Sequence, residues 1–254
     1  MSRAPLPFPP NPDYGHGATR RRVRLWNENG GVCAVLSDIF HEMRCHLAHD
    51  GTRVTALESS MQRVPTSSCA GASAQLRELI GTPLQTPPRD IYRGGRILEH
   101  CTHLFDLAVL AIGHARRGER GERRYEALVP DTTDALVEAQ ISLDGALVHR
   151  WTLEQQVIQT PAPLRGKSLL KGFSTWSNDV FENSDWEAAM ILARTCMIAG
   201  GRAYRTDAWK GDPIARNDTI IGACYSYAPR RVDEGVFLGD NVRDFSAQVV
   251  EDGD

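Results

Sequence analysis

Apolar and polar positions alternate with a period of two through much of the first third of the chain. Arg22-Val23-Arg24-Leu25-Trp26 alternates, meets turn residues at Asn29-Gly30-Gly31, and gives way to the apolar run Val32-Cys33-Ala34-Val35-Leu36-Ser37-Asp38. Phe40 to Leu47 alternates again, Asp50-Gly51 follows, and Arg53 to Val64 alternates back. An Asp-Gly pair between two alternating runs predicts a hairpin, because its tight turn needs backbone at positive φ. Ser67-Ser68-Cys69 leads into small residues, and the stretch Ala70 to Ile80, closed by Gly81, predicts a helix. After a connection bearing Pro83, Pro87 and Pro88, His100-Cys101-Thr102-His103 opens the apolar run Leu104 to Ile112. That run predicts a buried helix, which ends in the charged stretch Arg116 to Arg124.

The second half replays this order. Tyr125 to Val129 and Val137 to Leu143 read as strands, Asp144-Gly145 as a turn, and Val148 to Ile158 as the returning strand. Pro161, Pro163 and Gly166 then introduce Lys167 to Phe173, and Asp185 to Ala199 predicts a helix closed by Gly200-Gly201. A shift of 94 positions without gaps carries Asp50-Gly51 onto Asp144-Gly145, Val54 onto Val148, Gln62 onto Gln156, Thr66 onto Thr160 and Leu76 onto Leu170. This coincidence suggests an internal duplication. Cys69 then falls against Pro163 and, with a shorter connection before the helix at 185–199, Cys101 falls near Asp185, so the second copy lacks the thiols. The expected organisation is an extended, proline-rich arm (1–19), a first α+β repeat carrying the Cys/His box (20–124), a second α+β repeat (125–205) and a C-terminal extension (206–254). Strand-like patches at Ile220–Tyr227 and Val236–Leu238 mark the extension, which ends in the acidic Glu251-Asp252-Gly253-Asp254.

Composition narrows the class. A chain of 254 residues can bury a real core, and its 41% hydrophobic and 24% charged content is that of a soluble globular protein. The net charge of −3 excludes a general nucleic-acid binder, and Arg20-Arg21-Arg22 reads as a solvated strand start. No apolar run is long enough to span a bilayer. The N-terminus lacks an apolar signal core, and the six cysteines (33, 45, 69, 101, 196, 224) include no CxxC pair, so free thiols in the cytoplasm are expected.

The densest reactive chemistry is His100-Cys101-Thr102-His103. A thiol at a helix N-terminus sits at the positive end of the backbone dipole, which favours thiolate. Imidazoles beside it can take protons or bind metal. Cys101 is thus a candidate nucleophile or acid, with His103 or His41 as base. Alternation places His41 on one strand face with Met43 and Cys45, and Asp38 at a strand end, where a carboxylate either acts or stabilises a turn. The same groups allow a second reading: Cys69, Cys101 and His103, joined by His41, as a zinc or iron site. Trp151, Phe173, Trp176, Phe181 and Trp186 read as core, or as the wall of an apolar ligand site. GxGxxG, GxSxG and HExxH are absent, and Gly94-Gly95 lacks the context of a phosphate loop.

His41-x-Met43, Pro65-x-x-x-Cys69, Leu76-x-x-Leu79-x-Gly81 and the Cys101-Thr102-His103-Leu104 box together resemble an uncharacterised bacterial domain family of unknown function. Its members carry such a box after a hairpin and a small-residue helix, and the likeness covers roughly residues 22–116. More distantly, the first half is similar to the NifU/IscU-type iron–sulfur scaffold fold, with Cys69 before its small-residue helix and His100-Cys101 opening a long one. Together with the duplication, this likeness gives the expected α+β fold of two tandem NifU/IscU-like pseudo-repeats, each an antiparallel sheet plus helices. Residues 70–100 contain no cysteine where the scaffold pattern places a further one.

Three functions compete. The first is an enzyme of lyase or isomerase type on a small, partly apolar organic molecule held between the repeats. It would use His41, Cys101, His103 and Asp38 for catalysis, and Met43, Trp176 and Trp186 to hold substrate, with either no cofactor or a divalent metal. The second is a metal-binding scaffold or carrier. The third is a non-catalytic interaction domain. A small molecule is the expected partner, with no nucleic acid and no membrane; assembly into a homo-oligomer stays open.

Overall fold

The computed structural model describes residues 7–93, 95, 99–118 and 120–246. The fold is α+β and antiparallel, and the chain groups into two compact units. The acidic residues 251–254, Gly94 and the first six residues of the proline-rich arm lie outside the described residues.

One unit comprises Val23–Arg123 with Asp207–Val242. It holds β1 (Ala18–Glu28) from Val23 onward, β2 (Gly31–Asp38), β3 (Glu42–His49) and β4 (Val54–Arg63). They lie in the order β4-β3-β2-β1, an up-and-down meander. Asn29 and Gly30 take φ of +49° and +77° in the turn between β1 and β2, as the Asn-Gly signal requires. Gly31 is needed for a different reason: a Cβ there would lie 2.2 Å from the carbonyl oxygen of Leu47 on the neighbouring strand. After α1 (Pro88–Ile91), α2 (Thr102–Arg117) packs on β2 and β3 and buries every residue from Leu104 to His114. Its one buried acid, Asp106, accepts a 2.7 Å hydrogen bond from the Tyr92 hydroxyl, which offsets its desolvation. Gly118 ends α2 in the left-handed conformation.

The expected small-residue helix is a 3-10 helix, Ser67–Leu79, packed on β4. Three residues per turn stack i over i+3, which small side chains tolerate, and Cys69, Ala72, Leu76 and Leu79 form its buried row. Gly71 lets it approach the C-terminal segment: a Cβ there would sit 2.7 Å from the Tyr225 hydroxyl. Residues 207–242 pack into this unit. Phe237 bridges to Thr66, the Ser67 amide donates to Val236 O and the Leu238 amide to Pro65 O, so 207–242 completes this unit. Ile220–Tyr227 is turn and short 3-10 structure, not strand.

The other unit comprises, of the described residues, 7–22, 124–206 and 243–246. It contains β5 (Arg123–Pro130) from residue 124, β6 (Leu136–Leu143), β7 (Ala146–Glu154) and β8 (Val157–Thr160), then α3 (Phe173–Val180) and α4 (Asn183–Ala199). The expected single strand from Val148 to Ile158 is two strands. Gln155 and Gln156, both at positive φ, make a two-residue turn that no glycine announces. Residues 167–172 are not helical; the helix starts at Phe173. Tyr125 and Glu187 are both buried, and the tyrosine hydroxyl donates to the carboxylate at 2.6 Å. The described part of the arm, from residue 7 on, is packed: Phe8 is buried, and Pro10 bridges to Tyr204. Arg21 and Arg22 are buried as well, so the arginine triplet is no solvated strand start.

Candidate functional site

The site is built where β2 hands over to β3. Asp38 closes β2, and its Oδ1 accepts the backbone N–H of Phe40 at 2.8 Å and of His41 at 2.9 Å. The Asp38 amide in turn donates to His41 O at 2.9 Å. A short polar residue that bonds the backbone two and three positions on makes this tight reversal local. His41 therefore sits just ahead of β3, its ring on the buried side with Met43 and Cys45, the face that alternation assigned.

The same Asp38 oxygen lies 3.0 Å from His41 Nδ1, with the carboxylate side chain fully buried and the imidazole 8% exposed. An ionised carboxylate only accepts, so this contact places the hydrogen on Nδ1 and makes Nε2 the basic nitrogen of neutral His41. Nε2 has no hydrogen-bond partner among the described residues. His103, in the first turn of α2, is half-buried and lays its ring over that of His41, with centroids 4.1 Å apart and planes 34° apart. Asp38, His41 and His103 thus form one line of carboxylate, imidazole and imidazole. Two elements hold it, and the packing of α2 on β2 and β3 fixes their relation.

Arg63 supports the line from behind. Its guanidinium is buried at the end of β4, with Nη2 donating to Asp38 O (2.6 Å) and His41 O (3.0 Å), and Nη1 to Ile39 O (2.8 Å) and Asn241 O (3.1 Å).

The remainder of the Cys/His box faces elsewhere. His100 is buried, its Nε2 2.9 Å from Glu78 Oε1 and its ring 4.6 Å from that of Phe105. Cys101 caps α2, but the thiolate expected from the helix dipole is not favoured. Burial pushes this thiol far up, and the neighbouring Cys69 and Cys224 thiols push the same way, outweighing the Leu104 and His103 amides. Cys69 is buried too, with Thr66 Oγ1 at 3.1 Å and Ser226 Oγ at 3.3 Å from its sulfur. A thiol reagent should therefore label Cys224, the one half-exposed cysteine, and leave Cys101 unlabelled between pH 7 and pH 9 until denaturant is added, as peptide mass mapping would read. Labelling of native Cys101 at the rate of a free thiol would contradict this burial.

Of the sequence's metal set, Cys69 and Cys101 share a neighbourhood, while the His103 ring lies on His41. Among the described residues, no group of three or more His, Cys, Asp and Glu side chains is placed to hold a metal ion. Met43 is fully buried core, so it presents no surface to a ligand. Trp176 and Trp186 are buried in the other unit, where Trp176 Nε1 donates to Ser168 O at 2.9 Å. There His149 stands between Trp151 and Phe181, and burial lowers its pKa against the Asp185 carbonyl and charge.

Sequence reasoning missed Arg63. For Arg63 a signal existed. Leu57, Ser59 and Met61 share the less exposed parity of β4, and a charged residue follows at the next position of that parity. A cation in a core slot needs acceptors, and here they are main-chain carbonyls.

Among the described residues, no helix is long and apolar enough to cross a membrane. Neither the curated proteins nor the solved structures contain a match to this chain. Residues 27–117, which carry Asp38, His41, Arg63, Cys69, Cys101 and His103, match the model of a domain family described as "Protein of unknown function (DUF2889)".

Proposed function

We propose that this protein is an enzyme acting on a small, partly apolar organic molecule by proton transfer, of lyase or isomerase type. His41 Nε2 takes the proton from substrate, Asp38 holds the ring in the tautomer that can do so, and His103 carries or returns a proton beside it. The observation that carries this reading is the buried Asp38–His41 contact with the His103 ring stacked upon it. A purely structural histidine needs a partner, but not a second imidazole against its ring. Cys101 serves here as buried packing at the N-cap position of α2, not as a nucleophile.

The duplication belongs to the same proposal. The 94-residue shift carries Glu42–His49 of β3 onto Leu136–Leu143, the bounds of β6. It carries Asp38 onto Thr132 and His41 onto Ala135, so the second copy, whose fold we read as NifU/IscU-like along with the first, lacks the dyad. The chemistry then rests with the first copy. Six free thiols, five of them buried, support a reducing compartment, and we place the protein in the cytoplasm.

The test is incubation in D2O with a panel of small hydroxylated and carbonyl compounds, aromatic and aliphatic, followed by NMR. Wild-type protein should convert one class or exchange its carbon-bound hydrogen. His103→Gln should slow that by about 10²-fold or more. Full activity in His103→Gln would remove the second imidazole from the reaction.

A further inference from the structure

We infer that Arg63 is the positioning residue of the Asp38–His41 pair, acting through main-chain carbonyls. The inference rests on the reading that this pair is the working site.

The Arg63 guanidinium directs its two Nη groups at four carbonyl oxygens, and three of them, from Asp38, Ile39 and His41, belong to the four-residue reversal that carries the dyad. The Glu42 carboxylate stands off, with Oε2 3.8 Å from Nε, beyond a good hydrogen bond. A planar fork is suited to such a role, because Nη2 meets carbonyls 38 and 41 while Nη1 meets carbonyl 39, a fixed spacing of donors that a single ammonium would not impose. With Asp38 N–H on His41 O and Asp38 Oδ1 on the amides of residues 40 and 41, the reversal is cross-tied on both edges. The geometry of His41 Nδ1 against Oδ1 then follows from where Arg63 holds the chain.

The fourth carbonyl, Asn241 O, extends the device. Asn241 also donates its side-chain amide to Val64 O at 2.9 Å. Arg63 therefore ties the C-terminal segment to the dyad loop, so residues 207–242 help shape the site from outside the family match at 27–117.

The experiment is NMR on the full chain. In wild-type protein the Arg63 Nη hydrogens should give separate, slowly exchanging signals. In Arg63→Lys the Phe40 and His41 amides should exchange about tenfold faster, the factor for one net hydrogen bond. The His41 ring 15N shifts should move toward a mixture of tautomers, while amides within α2 keep their protection. Arg202→Lys, a comparable change at a buried arginine of the other unit, should leave the His41 shifts unmoved. Averaged Arg63 Nη signals in the wild type, or His41 shifts unchanged in a folded Arg63→Lys, would overturn the inference. Neither readout requires turnover. An inert protein with a responsive His41 would sink the enzymatic reading alone, and an active one with an indifferent His41 would sink the role of Arg63 alone.

Discussion

His41→Asn is expected to lower turnover by about 10²–10⁴-fold, the usual contribution of a positioned general base. Asparagine keeps an N–H that can meet the Asp38 carboxylate, so the buried acceptor is not orphaned. What disappears is the second ring nitrogen, the atom that would take the substrate proton, together with the surface on which His103 stacks. The stability cost should stay within about 1–2 kcal/mol, that of a small cavity plus one altered hydrogen bond. A urea titration would read this and show that the loss of rate is not a loss of fold. Asp38→Asn is the harsher relative, because Oδ1 serves two amides and one imidazole at once. Undiminished turnover in His41→Asn would end the acid/base reading of the dyad.

Arg202→Met is expected to cost about 3–5 kcal/mol, the penalty for breaking a buried ion pair from one side. Arg202 holds Asp131 with two parallel bonds, Nε to Oδ1 at 2.8 Å and Nη2 to Oδ2 at 3.0 Å, with side chains 6% and 2% exposed. Its Nη1 also reaches Asp244 Oδ1 at 3.0 Å, and its carbonyl accepts from Asn11 Nδ2 at 2.8 Å. One residue, in the 3-10 turn after α4, so gathers the arm, the loop after β5 and the segment around Ser246. Methionine fills the volume but leaves Asp131 buried, served among the described residues only by the amides of Gly15 and Gly17. Since a domain's whole stability is about 5–15 kcal/mol, the urea midpoint should fall steeply. A second change, Asp131→Leu, should recover much of the loss by removing the stranded charge. A midpoint unmoved by Arg202→Met would mean that water reaches this pair and screens it.

The site was legible in pieces. Asp38, His41 and His103 could each be named from the chain, because a strand-end acid, a histidine on a Met/Cys face and a histidine opening a helix are local patterns. Cys101 was named by the same logic and given the wrong ionisation, because the dipole of its helix is local while the burial that overrides it is not. Arg63 lies more than twenty residues beyond the loop it supports, and Asn241 farther still, so no spacing rule could join them.

For the fold, the chain by itself determined the strands whose turns are written in Asn-Gly and Asp-Gly, the long apolar helix, and the alternation that buries His41. These follow from backbone sterics and side-chain period, which act within a few residues. Only the tertiary structure decided that residues 67–79 wind as a 3-10 helix, that β8 turns back through two glutamines, and that 207–242 joins the site-bearing unit. It alone set His103 upon His41 and turned the Cys101 thiol away from ionisation. Those outcomes depend on which surfaces meet and how much water they exclude, and residues distant in sequence supply both.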